Sequence, residues 1–195
     1  MFYQEITILP SVDTSFGFLW SKVFSKLHKL FVELEDDLGN KLIRVSFPHY
    51  DAKRKGFGLG NKLRVFSNEK INLERLNTKH ELEFLSDYVH VTSIKNIPES
   101  VASHVCFKRY QAKVIRSNRR VALTFARCKG TTYEEELKRI AGRKQTQTEL
   151  PYILIQSSST GSKFKLFIVK EEKAKPSDGF ITSYGLSCTA TVPHF

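Results

Sequence analysis

The sequence of 195 residues is poor in cysteine and has no long hydrophobic run. Its three cysteines, Cys106, Cys128 and Cys188, stand far apart and form neither a Cys-x-x-Cys motif nor a cluster with histidine. This pattern argues against a disulfide framework and against a zinc site. No stretch approaches the roughly 18 apolar residues of a membrane-spanning helix, and the first residues do not resemble a signal peptide. We therefore expect a soluble, cytoplasmic protein.

What the chain does contain is large apolar side chains and positive charge. Apolar residues make up 41% of the sequence, including 15 Phe and 7 Tyr, which is enough for a folded core. There are 31 Lys and Arg against 20 Asp and Glu, a net charge of +11, and residues 98–195 contribute +9 of it. Such a surplus favours a polyanionic partner, although charge alone does not separate nucleic acid from a membrane surface.

The positive charge is densest between residues 108 and 129. This segment carries eight basic residues and no acid: Lys108, Arg109, Lys113, Arg116, Arg119, Arg120, Arg127 and Lys129. Four of the arginines fall on one side of a predicted helix over residues 116–129, at i, i+3, i+4 and i+11. A solvated helix face and a phosphate-binding face explain this pattern equally well.

The hydrophobic pattern of residues 1–97 predicts the order βαββαβ. Apolar residues recur every three or four positions from Phe16 to Leu34, so they form one stripe on a helix capped by Thr14 or Ser15 and ended by Gly39-Asn40. A short helix is predicted over 69–76, and strands over 2–9, 41–47, 61–67 and 88–94. This order indicates an α+β fold with an N-terminal ferredoxin-like (RRM-like) domain.

We predict a second domain over residues 98–195, with short strands and an arginine-rich helix. Strands are predicted over 104–113, 152–155, 163–169 and 180–184, and a helix over 117–128. Thr132 and Glu135 form a capping box for a further helix, which Gly142 would end.

Taken singly, the candidate chemical groups have ordinary structural explanations. His28 lies at the edge of the apolar stripe and is more often a structural than a catalytic residue in such a place. Residues 56–60 (GFGLG) lack the spacing of a phosphate-binding loop, residues 156–162 fit a polar hairpin, and Tyr184 fits a sheet tyrosine.

Taken together and in order, the short motifs resemble a known family. They are residues 24–28 (FSKLH), 45–48 (VSFP), 109–113 (RYQAK), 157–161 (SSSTG) with 164–168 (FKLFI), 184–187 (YGLS) and 192–195 (VPHF). This series is similar, from end to end of the chain, to the repeat-processing endoribonuclease of type I-F CRISPR systems.

The resemblance implies a metal-independent, cofactor-free RNase that cuts precursor CRISPR RNA at the 3′ base of the repeat stem-loop. His28 matches the histidine that activates the ribose 2′-OH, so that the products carry a 2′,3′-cyclic phosphate and a 5′-OH. Ser157 matches the serine that positions the 2′-OH, and Tyr184 the tyrosine that orients the histidine. The enzyme would then stay bound as a subunit of the interference complex, next to its backbone subunit.

The resemblance also assigns RNA-binding roles. Arg109 and Gln111 would read base edges near the foot of the stem, Phe164 would stack on its terminal base pair, and Ser159 would lie near the cut. The arginine-rich helix and the segment before it would contact phosphates, through Lys113, Arg116, Arg119, Arg120 and Arg127. The chain departs from the family pattern at Tyr110, in the loop 50–60 and at residues 121–125.

Two other functions stay open from the sequence. A non-catalytic RNA-hairpin-binding subunit would bind without cutting, and His28→Ala would then leave its function intact. An enzyme for a small phosphorylated substrate would show a closed pocket and little dependence of binding on salt, in contrast to a protein that contacts many phosphates.

Overall fold

A computed structural model describes residues 1–36, 38–54, 57–111, 118–141, 148–157 and 161–195. The side chains of residues 118–120 are outside this description. The contacts divide the chain into two compact units, one formed by Met1–Tyr110 with Leu150–Phe195 and the other by Gln111–Glu149. The division near residue 97 inferred from the sequence stays a prediction.

The N-terminal part of the first unit has the predicted ferredoxin-like arrangement. Its strands are β1 (Phe2–Ile8), β2 (Arg44–Ser46), β3 (Lys62–Ser67), β4 (Val89–Val91) and β5 (Lys95–Asn96). They form an antiparallel sheet in the order β2-β3-β1-β4, and β5 also pairs with β1. Its helices are α1 (Phe16–Glu33), α2 (Lys70–Leu76) and α3 (Thr78–Glu81), followed by a 3-10 turn at Glu83–Leu85. The α+β fold class is confirmed.

Helix α1 begins as predicted and ends earlier than predicted. Ser15 caps its first turn, with the side chain accepting from the Phe18 amide, and the apolar stripe is buried from Leu19 to Phe31. The helix ends at Glu33, before Gly39, because Asp36 offers the following backbone another partner. Its carboxylate accepts from the amides of Leu38 and Asn40 at 2.9 and 2.8 Å, which stabilises a turn in place of a helix.

The second sheet also belongs to the first unit. It contains β6 (Ser103–Tyr110), β7 (Tyr152–Gln156), β8 (Lys163–Lys173) and β9 (Val192–His194), in the antiparallel order β7-β8-β6-β9. The predicted strand over 180–184 is wrong. Its last residues form a turn closed by a 2.9 Å hydrogen bond from the Gly185 amide to the Thr182 carbonyl, and β9 supplies the fourth strand. The Thr182 hydroxyl donates to the Leu186 carbonyl, and Gly185 has a positive φ. Both features favour a turn over an extended strand.

One hydrophobic core joins helix α1 to both sheets. It includes Phe24 of α1, Phe66 of β3 and Ile168 of β8, which are all fully buried. A hydrogen bond of 2.6 Å from the Ser21 hydroxyl to the Leu154 carbonyl also ties α1 to β7. Because α1 lies against the second sheet, residues on its edge are held at a fixed position relative to β6 and β8.

The second unit contains helices α4 (Asn118–Lys129) and α5 (Tyr133–Ile140). The predicted capping box is confirmed, since Thr132 Oγ1 accepts from the Glu135 amide and the Glu135 carboxylate accepts from the Thr132 amide. In the part that the structure describes, the core of this unit consists of Val121, Ala122 and Ile140 with three partly buried neighbours. Gly142, the predicted end of α5, lies outside the described residues.

Within the described ranges, no helix is long and apolar enough to cross a membrane. The same residues contain no group of three or more His, Cys, Asp or Glu side chains placed to hold a metal ion. The three cysteines are free thiols.

Candidate active site

His28 is held in a defined orientation at the edge of helix α1. It is half-buried, and its Nδ1 lies 2.9 Å from the carbonyl oxygen of Ser183. A carbonyl oxygen only accepts, so Nδ1 is the protonated nitrogen of the ring. The neutral imidazole therefore carries its lone pair on Nε2, which is the atom able to accept a proton.

The surroundings of His28 favour the neutral form of the ring. Burial lowers the pKa of His28 below its usual range, and the positive charge of Lys41 lowers it further, against the opposing effect of the hydrogen bond to Ser183. The Lys41 ammonium is 2.6 Å from the carbonyl oxygen of Val32, one turn of α1 beyond His28, and 2.8 Å from Glu35. A histidine with a depressed pKa is an unprotonated base at neutral pH.

The ring of Tyr184 stacks on the imidazole. The two ring centroids are 4.1 Å apart and their planes differ by 14°. Since Ser183 bonds Nδ1 and its neighbour Tyr184 covers one face of the ring, a single short segment controls both the tautomer and the tilt of His28. That segment is the turn for which a strand was predicted.

The turn owes its position to Gly185. This residue has φ of +71°, and a Cβ there would lie 2.8 Å from Val45 Cγ1 and 3.3 Å from the Ile43 carbonyl oxygen. Its own carbonyl oxygen accepts from the Val45 amide at 3.0 Å. Only glycine combines this backbone conformation with so close an approach to β2.

Ser187 fixes the remainder of the segment. Its hydroxyl donates to the Phe180 carbonyl at 2.6 Å and accepts from the amide of Ala190 at 2.7 Å. Its amide donates to the Phe107 carbonyl of β6 at 2.9 Å. The motif 184–187 therefore combines one partly buried ring, that of Tyr184, with two residues that anchor it to the sheets.

Arg109 and Phe164 continue the site on the second sheet. The Arg109 guanidinium carbon is 5.8 Å from the ring centroid of Tyr184 and 5.5 Å from that of Phe164. Arg109 is exposed, and Phe164 is partly buried against the main core. The structure thus brings four of the predicted site residues into one continuous row: His28, Tyr184, Arg109 and Phe164.

Ser157 and Gln111 lie at the ends of strands. Ser157 follows β7, and its carbonyl accepts from the Gly161 amide while its amide donates to the Ser162 carbonyl, both at 2.9 Å. These bonds close the hairpin that leads to Phe164. Gln111 is exposed directly after β6.

The other predicted RNA-binding residues belong mostly to undescribed parts of the chain. Lys113, Arg116 and Ser159 lie outside the described residues. Arg119 and Arg120 lie on the first turn of α4, and their side chains are outside the description. Arg127 is exposed on the last turn of α4.

Sequence reasoning missed the roles of Lys41, Gly185 and Ser187. The glycine and the serine stood within a motif that resembled the family, but nothing in their spacing showed what they anchor. Lys41 had no sequence signal, because its influence on His28 depends on where the chain turns after α1.

Comparison with known proteins gives one family and full-length relatives. Residues 3–195 match the family described as CRISPR-associated protein (Cas_Csy4). The chain is 32% identical to a protein of Escherichia coli (strain UTI89) named CRISPR-associated endonuclease Cas6/Csy4, over 99% of this chain and 98% of the relative. It is 30% identical, over the same shares, to a protein of that name from Pseudomonas aeruginosa (strain UCBPP-PA14).

Proposed function

The chain belongs to the Cas_Csy4 family of CRISPR-associated proteins, and from this premise we propose that it is the endoribonuclease that processes precursor CRISPR RNA. The family resemblance inferred from the motifs is confirmed by the match over residues 3–195. The names of both relatives, CRISPR-associated endonuclease, support the assignment of nuclease activity. The substrate we propose is the repeat stem-loop, cut at the 3′ base of its stem.

The observation that carries the proposal is the state of His28. Its Nδ1 donates to the Ser183 carbonyl, its pKa is depressed, and Tyr184 holds its ring plane, so Nε2 is an oriented base. RNA supplies its own nucleophile in the 2′-OH, and an imidazole can remove that proton without a metal-bound water. An oriented base, together with the 2′-OH that the RNA itself carries, supports our proposal that cleavage needs no metal ion.

In the proposed reaction, His28 Nε2 accepts the proton of the 2′-OH at the cut. The 2′ oxygen attacks the adjacent phosphorus, and the bond from phosphorus to the 5′ oxygen of the next nucleotide breaks. The products are a 2′,3′-cyclic phosphate and a 5′-OH, whose oxygen takes a proton from solvent water as it leaves, and His28 then releases its own proton to solvent. We assign to Ser157 the positioning of the 2′-OH and to Tyr184 the positioning of the histidine, because alignment of the reacting atoms supplies much of such a rate.

Arg109 and Phe164 suit the foot of an RNA stem. A guanidinium matches the O6 and N7 edge of guanine, and the amide of Gln111 matches adenine. An aromatic ring at the end of a stem stacks on the terminal pair, a contact of about 1–3 kcal/mol. We therefore propose that these residues set the position of the cut relative to the stem.

Binding strength would come chiefly from the positive charge of residues 108–129. We propose that Lys113, Arg116, Arg119, Arg120 and Arg127 contact phosphates of the stem, with Ser159 near the cut. After cutting, the protein would stay on the stem-loop as a subunit of the type I-F interference complex, beside the backbone subunit that lines the guide RNA. A cytoplasmic location is expected for this role.

The test is cleavage of labelled repeat stem-loop RNA in EDTA, beside the same RNA with one 2′-deoxy at the expected cut. We expect cutting of the first RNA alone, with a cyclic phosphate on the upstream product. Cutting that requires added magnesium would contradict the mechanism. Tight binding with neither RNA cut would make the protein a non-catalytic hairpin-binding subunit, with His28 as a structural residue.

A further inference from the structure

The second sheet has a face that does not take part in the candidate active site. Side chains alternate between the two faces of a strand, so Ile153, Ile155, Leu166 and Ile168 point into the core and their neighbours point away from it. Arg109 is the register partner of Ile168, so it lies on the same face of the sheet as these four residues. The neighbouring residue Tyr110 lies on the outer face.

Three aromatic residues form a row across this outer face. Phe167 of β8 is the register partner of Tyr110 on β6 and of Tyr152 on β7, so the three side chains share one face on adjacent strands. The rings of Tyr152 and Phe167 are 5.5 Å apart. Tyr110 and Tyr152 are 42% and 38% exposed, so part of each ring faces solvent. Aromatic rings so spaced can each offer a surface to a planar ligand.

Lysines accompany the aromatic row. Lys163 and Lys165 of β8 share its face and are exposed, and the Lys165 ammonium lies 4.3 Å from the ring centroid of Tyr152. Lys108 of β6 lies on the same face beside Val169. The acid Glu171 is bonded to Lys108 at 3.3 Å and to Lys173 at 3.1 Å, so its charge is already compensated. The outer face is therefore positive and aromatic at once.

This combination identifies the chemistry of the ligand. Single-stranded nucleic acid presents base rings that stack on aromatic side chains and phosphates that attract lysine, without any need for a specific sequence. A paired stem does not offer its base rings in this way, except at its end. The outer face thus complements an unpaired strand.

The aromatic row also lies where the chain leaves the first unit for the second unit and where it returns. Tyr110 is the last residue before Gln111–Glu149, and Tyr152 is near the start of the return. Along the chain, the row therefore borders a segment in which basic residues outnumber acidic ones.

We propose that this outer face, formed by Tyr110, Tyr152, Phe167, Lys163 and Lys165, binds unpaired RNA that flanks the repeat stem-loop. Bases of the flank stack on the aromatic row and its phosphates pair with the two lysines. The inference rests on the proposed RNA substrate and adds to it a second contact surface, on the side of the sheet opposite Arg109.

The experiment compares three RNAs that each carry the 2′-deoxy substitution. One is the bare repeat stem-loop, one has about ten uridines added upstream and one has the same addition downstream, a length within the usual site size of single-strand binders. Fluorescence anisotropy gives the affinity of each RNA, and the quantity of interest is the gain that each extension provides over the bare stem-loop. This ratio cancels any general loss of folded protein or of stem binding.

We expect one extension to tighten binding, which also identifies the side of the stem that reaches the face. The double variant Tyr110→Ala/Tyr152→Ala should reduce that gain by about tenfold. Lys163→Gln/Lys165→Gln should reduce the gain and also the salt dependence of the extended RNA. Phe84→Ala is the matched control, because Phe84 is 63% exposed in the 3-10 turn and outside the second sheet.

The inference is overturned if neither extension tightens binding, or if the gain is the same in the double variant as in the parent. These outcomes differ from failure of the proposed nuclease. A protein that cuts the stem-loop and shows no gain refutes the second surface alone. A protein that never cuts, but whose gain depends on the two tyrosines, refutes the nuclease and retains the surface.

Discussion

The two compact units of this chain differ in how they combine burial and charge. The first unit has a core that extends through helix α1 and both sheets. The second unit, Gln111–Glu149, has ten Lys and Arg against four Asp and Glu, and its described core consists of three buried side chains. Charge density is thus highest where the core is smallest.

This difference matches the two tasks of the proposed function. An oriented base requires that its partners be held to within a fraction of an ångström, which only a well-packed core does. Attraction to phosphates acts over a Debye length of about 10 Å and tolerates a less rigid support. The four predictions that follow separate positioning in the first unit from attraction in the second.

His28→Ala should have the largest effect. Removal of a general base lowers the cleavage rate by about 100- to 10,000-fold, whereas the charge that attracts RNA is unchanged. Single-turnover cleavage and the affinity for uncleavable stem-loop RNA measure the two quantities. An equal loss of both would show that the two tasks are not separate.

Gly185→Ala, compared with Gly130→Ala, tests the role of packing in each unit. Both glycines have positive φ, at 71° and 66°, so each alanine carries a backbone cost of about 1–2 kcal/mol. At Gly185 the new methyl also meets Val45 Cγ1 at 2.8 Å, while at Gly130 it meets no atom within 4 Å. We therefore expect Gly185→Ala to lose more unfolding free energy than Gly130→Ala. Only Gly185→Ala should also slow cleavage, because it displaces Tyr184.

Denaturant titration and single-turnover cleavage report the two effects of the glycine variants. Similar losses at both positions would mean that the contact with Val45 does not hold the turn. An intact cleavage rate in Gly185→Ala would mean that the stack of Tyr184 on His28 does not orient the base.

Arg127→Gln should weaken binding without slowing the chemical step. The side chain is exposed on α4, and loss of one phosphate contact lowers the slope of log affinity against log salt by about one. Lys79→Gln on α3 removes an exposed positive charge from the first unit and serves as the control. If both variants lower the slope equally, then net charge rather than the basic helix governs binding.

Lys41→Gln should change the pH dependence of cleavage, and of the four changes it should alter the cleavage rate at neutral pH the least. Loss of the lysine charge raises the pKa of His28, so the base becomes protonated at a higher pH. The acid limb of the pH–rate profile therefore shifts to higher pH. Glutamine retains a donor for the Val32 carbonyl. Lys29→Gln, which removes an exposed charge next to His28 in sequence, should leave the profile in place. A profile that stays unmoved in Lys41→Gln contradicts the electrostatic role.

Local patterns predicted most of the fold. The apolar stripe of α1, its Ser15 cap, the βαββαβ order and the capping box at Thr132 are all found in the structure. The errors fell where local and distant preferences compete. Asp36 ended α1 early, and the run 180–184 has the composition of a strand but forms a turn anchored by Ser187 and Gly185.

The candidate site also has features that the sequence indicated and features that it did not. Periodicity alone placed His28 at the edge of the stripe, and motif resemblance selected Tyr184, Arg109 and Phe164. The stack of Tyr184 on His28 joins residues 156 positions apart, and no short-range pattern encodes such a contact. The outer aromatic row depends on the register of three strands, which the sequence of any one of them does not contain.

Most of the helices and strands, the location of charge and the family could be read from the sequence alone, because they follow from side-chain periodicity and from motifs within a few residues. Three features became visible only in the folded chain: the face of the second sheet that meets α1, the hydrogen bond of His28 Nδ1, and the place where Lys41 acts. Those features arise from contacts between distant segments, and their free energy depends on packing and burial that exist only after the chain has folded.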